Sequence, residues 1–146
     1  MRVLKRTMLF VIITLIVTTT VFGLSMNNET HQDQFQGAWI NVNPETRNIS
    51  SITVKKEDTT WIIQAWAKCH PEDCDWGAVT LNLIGDSTTD KTFDCAFAEW
   101  EFDFKKTYLS MRMQGDILVV ETISVFKDNS NRSNYQSLNL MKRVKE

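Results

Sequence analysis

A chain of 146 residues is the length of a single domain, and with a formal net charge of -2 and a pI near 5.7 it has no basic excess for gripping nucleic acid. Five Trp and eight Phe supply the apolar surface of a real core, while two Pro and five Gly are too few for a collagen-like or linker-like chain.

The first element reads as an export signal. Arg2, Lys5 and Arg6 precede an apolar run that begins at Met8, the order of a secretory leader. The run is short and threonine-rich towards Phe22, whereas a membrane-spanning helix needs about 20 apolar residues. Residues 1–24 are therefore expected to be a signal peptide, with Val21 and Gly23, or Gly23 and Ser25, at the cleavage site. Left uncleaved, this segment would be the only part to meet a membrane. Residues 25–34 are polar and aperiodic and read as a tether, and residues 35–146 form one domain. The expected location is extracytoplasmic: secreted, periplasmic or on the cell surface.

From residue 35 the hydrophobic period is two. Eight strands are predicted, over 37–42, 49–56, 59–68, 77–84, 97–104, 108–114, 116–126 and 135–144, separated by polar turns. In "FAEWEFDF" Ala98, Trp100, Phe102 and Phe104 face one way and Glu99, Glu101 and Asp103 the other; in "YLSMRMQ" Leu109, Met111 and Met113 face inward. Arg112 is expected to meet the acidic face of the preceding strand. Such a series predicts an all-β domain, an antiparallel up-and-down eight-stranded barrel, with a two-sheet β-sandwich as the alternative.

"GAWIN", Gly37 to Asn41, resembles the Gly-x-Trp that opens lipocalins and, as Gly-x-Trp-x-Asn, avidins. The resemblance implies that Trp39 plugs one end of the barrel and that Asn41 contacts a ligand. Glu45 stands where the avidin pattern has serine, so biotin is not implied. "NVNPETRNI" followed by "KCHPEDCDWG" also resembles a group of small exported bacterial proteins of unassigned function; the match covers residues 37–77.

The "CHPEDCDWG" box joins two predicted strands, and Pro71 suits it to a turn. Cys69 and Cys74 have three readings: a local disulfide, natural in an oxidising compartment; a metal site with His70; or a redox pair. The disulfide is expected, because zinc wants four ligands, His31 lies in the tether, and the spacing is not Cys-x-x-Cys. Cys95 is then left as a lone thiol. No metal, cofactor or catalytic constellation is legible, and the chain is not expected to be an enzyme. Apolar residues on both faces of 59–68 put Trp66 outward beside the box if Trp61, Ile63, Ala65 and Ala67 face in. Trp66, Trp76, His70 and Asn41 are the candidate ligand-binding residues. The expected partners are a small ligand, a glycan or an envelope protein. The two competing functions are a binding barrel and a structural or interaction module of the cell envelope. An open, polar-lined interior marks the first and a filled barrel the second.

Overall fold

The computed structural model describes residues 33–145. The predicted signal peptide and the tether as far as residue 32 lie outside the described residues. A 3-10 turn, Asp33–Phe35, opens the described chain and is followed by nine strands. These are β1 (Gly37–Asn41), β2 (Ile49–Glu57), β3 (Thr60–Ala67), β4 (Cys74–Thr80), β5 (Asn82–Ile84), β6 (Cys95–Glu101), β7 (Lys105–Gln114), β8 (Ile117–Phe126) and β9 (Tyr135–Arg143).

All strand pairs are antiparallel, and the sheet order is β4-β3-β2-β1-β9-β8-β7-β6-β5. Each strand pairs with a sequence neighbour, and β1 returns to β9, so the sheet curls into a nearly closed barrel. The eight expected strands are all present; the fourth is divided. It starts at Cys74 and breaks at the buried Leu81, whose amide donates to the Trp61 carbonyl at 2.8 Å. Its first half, β4, stays with β3, and its second half, β5, pairs with β6.

That change of partner leaves a seam. β5 holds β6 only over Cys95 to Phe97, and no ladder among the described residues joins β4 to the rest of β6. The gap is spanned instead by the Trp100 indole, whose Nε1 donates to the Gly77 carbonyl at 2.9 Å. Gly77 has φ +80, a left-handed conformation that glycine adopts without strain.

The period-two pattern sets the core. Ile52 and Val54 of β2, Ile63 and Ala65 of β3, Ala98 and Trp100 of β6, Leu109 and Met111 of β7, and Leu118 and Val120 of β8 are all buried inside. On the outer face, the β6–β7 hairpin pairs Glu101 with Lys106, so Lys106 meets Glu99 at 3.3 Å and Glu101 at 3.7 Å. Arg112 does not take that role. It lies opposite Cys95, six residues further along the ladder, and reaches Glu121 on β8 at 3.9 Å.

One end of the barrel is shut. Trp39 is fully buried and its Nε1 donates to the Phe35 carbonyl at 2.9 Å, which ties the 3-10 turn across the opening. The Arg143 guanidinium stacks 4.2 Å from the Trp39 ring centroid and donates to the carbonyls of Gln34 (2.6 Å) and Gln36. Gly37 suits this position because of its backbone angle, and any side chain there would also push the Arg143 guanidinium aside. The Gly37 φ is +125, and a Cβ would sit 2.8 Å from Arg143 Nη1.

Candidate functional site

At the opposite end the loops β1–β2, β3–β4 and β6–β7 and the start of β9 surround a cavity of about 380 Å³. This lies within the range of roughly 300–1,000 Å³ common to small-molecule sites. Its position follows from the alternation itself. Near this end the inward positions change from aliphatic to polar on β7, β8 and β9, and to aromatic at the seam.

The polar wall begins with a buried Thr and a half-buried Ser on neighbouring strands. Thr122 Oγ1 and Ser137 Oγ share a 2.7 Å hydrogen bond and face the cavity. Asn139 Nδ2 donates to Ser137 Oγ at 3.2 Å, and Asn41 Nδ2 donates to Asn139 Oδ1 at 3.3 Å. A second hydroxyl pair, Thr107 with Ser124 at 3.0 Å, lies buried beside them. Every side-chain nitrogen or oxygen that is wholly shut off from solvent among the described residues has a hydrogen-bond partner. Chains of this kind hold one geometry because a broken link in a low-dielectric interior is costly.

The aromatic wall comes from the seam and the β6–β7 turn. Trp76 meets Trp100 edge-on at 5.5 Å and Phe102 at 6.0 Å, and Phe102 stacks on Phe104 at 6.0 Å. The series continues through Phe126 to Tyr135 along the rim. The Phe102 amide donates to the Lys105 carbonyl at 2.9 Å, closing a tight turn that makes the two residues cross-strand neighbours on one face.

Lys105 is therefore carried inward. It is only 9 % exposed, and its Nζ lies 5.1 Å from the Trp76 ring centroid, 5.4 Å from Phe102, and 5.9 Å from both Phe104 and Tyr135. An ammonium so placed gains about 0.5–2 kcal/mol per good ring contact, which offsets part of its lost hydration. No carboxylate among the described residues comes within ion-pair distance of it. The other charged groups on the walls are Arg47, Lys68 and Asp75. Lys68 pairs with Asp73 at 3.4 Å.

The box forms the lip of the cavity. Cys69 and Cys74 are joined by a disulfide with Cα atoms 5.5 Å apart, and both line the cavity. The bond takes up both thiolates, so the metal reading of the box does not apply to this form, and no group of metal-ligating side chains is found among the described residues. Cys95 is a free, half-buried thiol on β6. Replacing Cys69 and Cys74 together by Ser is expected to lower stability by about 2 kcal/mol, the chain-entropy value for so short a loop. Urea denaturation of wild type and double variant measures it.

Asp75 anchors the same lip by accepting from Gln64 Nε2 and from the Gly77 amide, each at 2.8 Å. These bonds, the Gln64 one foremost, hold its carboxyl below the usual aspartate range. A depressed carboxylate pKa stabilises the fold above the unfolded value of about 3.9. That contribution shrinks as the pH falls below this value and is lost once the folded pKa has been passed. The Gly77 amide resonance is expected to titrate with a midpoint below about 3.9 in the wild type and not to follow that transition in Asp75→Asn. A wild-type midpoint at or above that value contradicts the anchor.

The candidate residues fall in separate places. Trp76 lines the cavity. Trp66 is half-buried on the outer face of β3, opposite Ser51 and Asp75, and does not line it. The two tryptophans thus form no common patch. His70 is exposed in the loop before a cis bond to Pro71. Asn41 lies under the β1–β2 loop, where it donates to the Ile49 carbonyl at 2.7 Å and accepts from the Asn43 amide at 2.8 Å. It does not line the cavity and is linked to its walls through Ile49 and, by way of Asn139, Ser137.

Lys105, Phe102, Phe104 and Tyr135 were not among the sequence candidates. The signal was present, because running the alternation of Met111 and Leu109 backwards through Thr107 puts Lys105 inside. Starting that strand at 108 hid it. The chain matches no protein-family model, and no curated protein or solved structure is recognisably similar to it.

Proposed function

We propose that the protein is an exported β-barrel binding module that takes one small ligand, a free molecule or a terminal glycan unit, into the cavity beneath the disulfide loop. The observation that carries this reading is the shape of the interior. The barrel is packed solid around Trp39 and open at the other end, with hydroxyls on one wall and aromatic rings on the other. That combination of apolar surface and a few fixed polar groups is the usual make-up of a small-molecule site. Binding is favoured over catalysis because, among the described residues, the cavity walls carry no histidine, and their one carboxylate, Asp75, is committed to Gln64 and Gly77. Export is supported by the basic-then-apolar start of the chain and by the disulfide, a bond of oxidising compartments. The test is an NMR screen of small aromatic and sugar compounds against the labelled domain. Shifts gathered at Trp76, Phe102, Lys105 and Ser137 are expected, and their absence for every compound would overturn the reading.

A second reading, an interaction module of the cell envelope, draws on the outer face of β1, β8 and β9. Ile40, Val42, Ile123, Leu138 and Leu140 are all exposed there, Leu138 to 59 %. Apolar groups clustered on a surface commonly mark protein contacts. Chemical shifts that gather on this face upon addition of envelope extract, and not at the mouth, would favour it.

A further inference from the structure

Resting on the binding reading above, we infer that the ligand is a small anion, a carboxylate borne on a flat, ring-bearing body, and that Lys105 is its counter-ion. Four features of the cavity lead there.

Lys105 Nζ is enclosed by four rings and has no carboxylate partner among the described residues. Ring faces attract the ammonium but accept no conventional hydrogen bond, so its N–H donors face the open cavity and are available to the oxygen acceptors of a ligand there. A cationic ligand would meet this ammonium head-on and is excluded by repulsion. A neutral ligand would leave the charge unmatched.

The surrounding charges agree in sign. Among the described residues, Arg47 lies at the same mouth with no carboxylate in ion-pair range, and the one acidic group on the walls, Asp75, is turned to Gln64 and Gly77. The cavity therefore has net positive charge, which draws anions towards a low-dielectric mouth.

The shape of the body follows from the aromatic wall. Trp76, Phe102 and Phe104 present ring surface around the ammonium, so a planar apolar group next to the carboxylate would stack while its oxygens reach Nζ. Thr122 and Ser137 are placed to hydrogen-bond the second oxygen or a ring substituent. The contact to Lys105 is then a charge-assisted hydrogen bond in a partly dry site, the stronger kind.

The experiment compares three isosteric probes, naphthalene-2-carboxylate, naphthalene-2-carboxamide and 2-naphthylmethylamine, titrated into the domain and followed by the Trp76 indole N–H resonance. The carboxylate is expected to bind roughly tenfold or more tighter than the amide, and the amine not to bind. In Lys105→Met, which keeps the length of the side chain and removes its charge, the carboxylate should lose that advantage while the amide binds as before. Lys105→Arg should retain it. Equal binding of carboxylate and amide to the wild type, or an advantage that survives in Lys105→Met, overturns the inference and leaves the binding barrel standing. If no probe moves Trp76, the inference falls, and the binding reading is decided by the wider screen of aromatic and sugar compounds. Should Lys105→Met not fold, the wild-type ranking and the Lys105→Arg variant decide the matter alone.

Discussion

Replacing Trp39 by Ala is expected to destabilise the domain by about 3–5 kcal/mol, the range for truncating a fully buried large aromatic. Trp39 has no exposed surface, and its loss would open a void at the end of the barrel where the 3-10 turn docks. Two further contacts go with it. The Phe35 carbonyl loses its indole donor, and the Arg143 guanidinium loses the ring on which it stacks. Arg143 fixes the last strand to the start of the first through Gln34 and Gln36, so the damage reaches the β1–β9 closure. Domain stabilities are only about 5–15 kcal/mol, so the truncated protein will be marginal. Trp39→Phe separates the causes, since it keeps most of the volume and removes the indole bond, at a cost of about 1–3 kcal/mol for an unsatisfied buried carbonyl. Urea denaturation of both variants provides the measurement. A Trp39→Ala protein within about 1 kcal/mol of wild type would contradict the plug, since buried large-to-small changes cost more.

The all-β architecture was legible because burial on one face of a strand forces alternation, and alternation survives in the residue order. Trp100, Leu109 and Met111 needed no tertiary knowledge to be put inside. The partition of the fourth strand was not legible. Leu81 continues the alternation of its neighbours, and only the curvature of the closing sheet decides that Asn82 to Ile84 turn towards β6. The disulfide could be anticipated from spacing and compartment, whereas the cavity could not. A lysine on an inward position looks like an error in the pattern when read alone. It becomes intelligible only once Trp76, Phe102, Phe104 and Tyr135, distant along the chain, are seen to converge on its ammonium. Pairing Trp66 with Trp76 failed for a related reason. The strand register shifts between Gln64 and Trp66, and the two rings end on opposite faces of the wall.

Truncating Trp100 to Ala is expected to cost a similar 3–5 kcal/mol, but with a local signature that Trp39→Ala lacks. Trp100 is 2 % exposed, packs edge-on against Trp76, and carries the indole bond to Gly77 that spans the seam. Everywhere else around the barrel a backbone ladder holds neighbouring strands; here one side chain does that work between β4 and the end of β6. Its removal leaves β4 joined by a backbone ladder to β3 alone and across the seam only by the contacts of Trp76 with Phe102 and Lys105, with an unpartnered carbonyl at Gly77. The amide protons of β4 and β5 are therefore expected to exchange from a sub-global opening, while those of β7 and β8 still follow global unfolding. The mouth should suffer too, because Trp76 loses one of the two rings that fix it. Trp100→Phe tests the bond apart from the bulk: it should open the seam with a smaller loss, about 1–3 kcal/mol. Hydrogen exchange measured residue by residue tells the cases apart. Uniform loss of protection across all strands would mean that the seam is no weaker than the ladders. Selective loss in β4 and β5, together with broadened Trp76 resonances, would show that a single indole closes the barrel and shapes the cavity beside it.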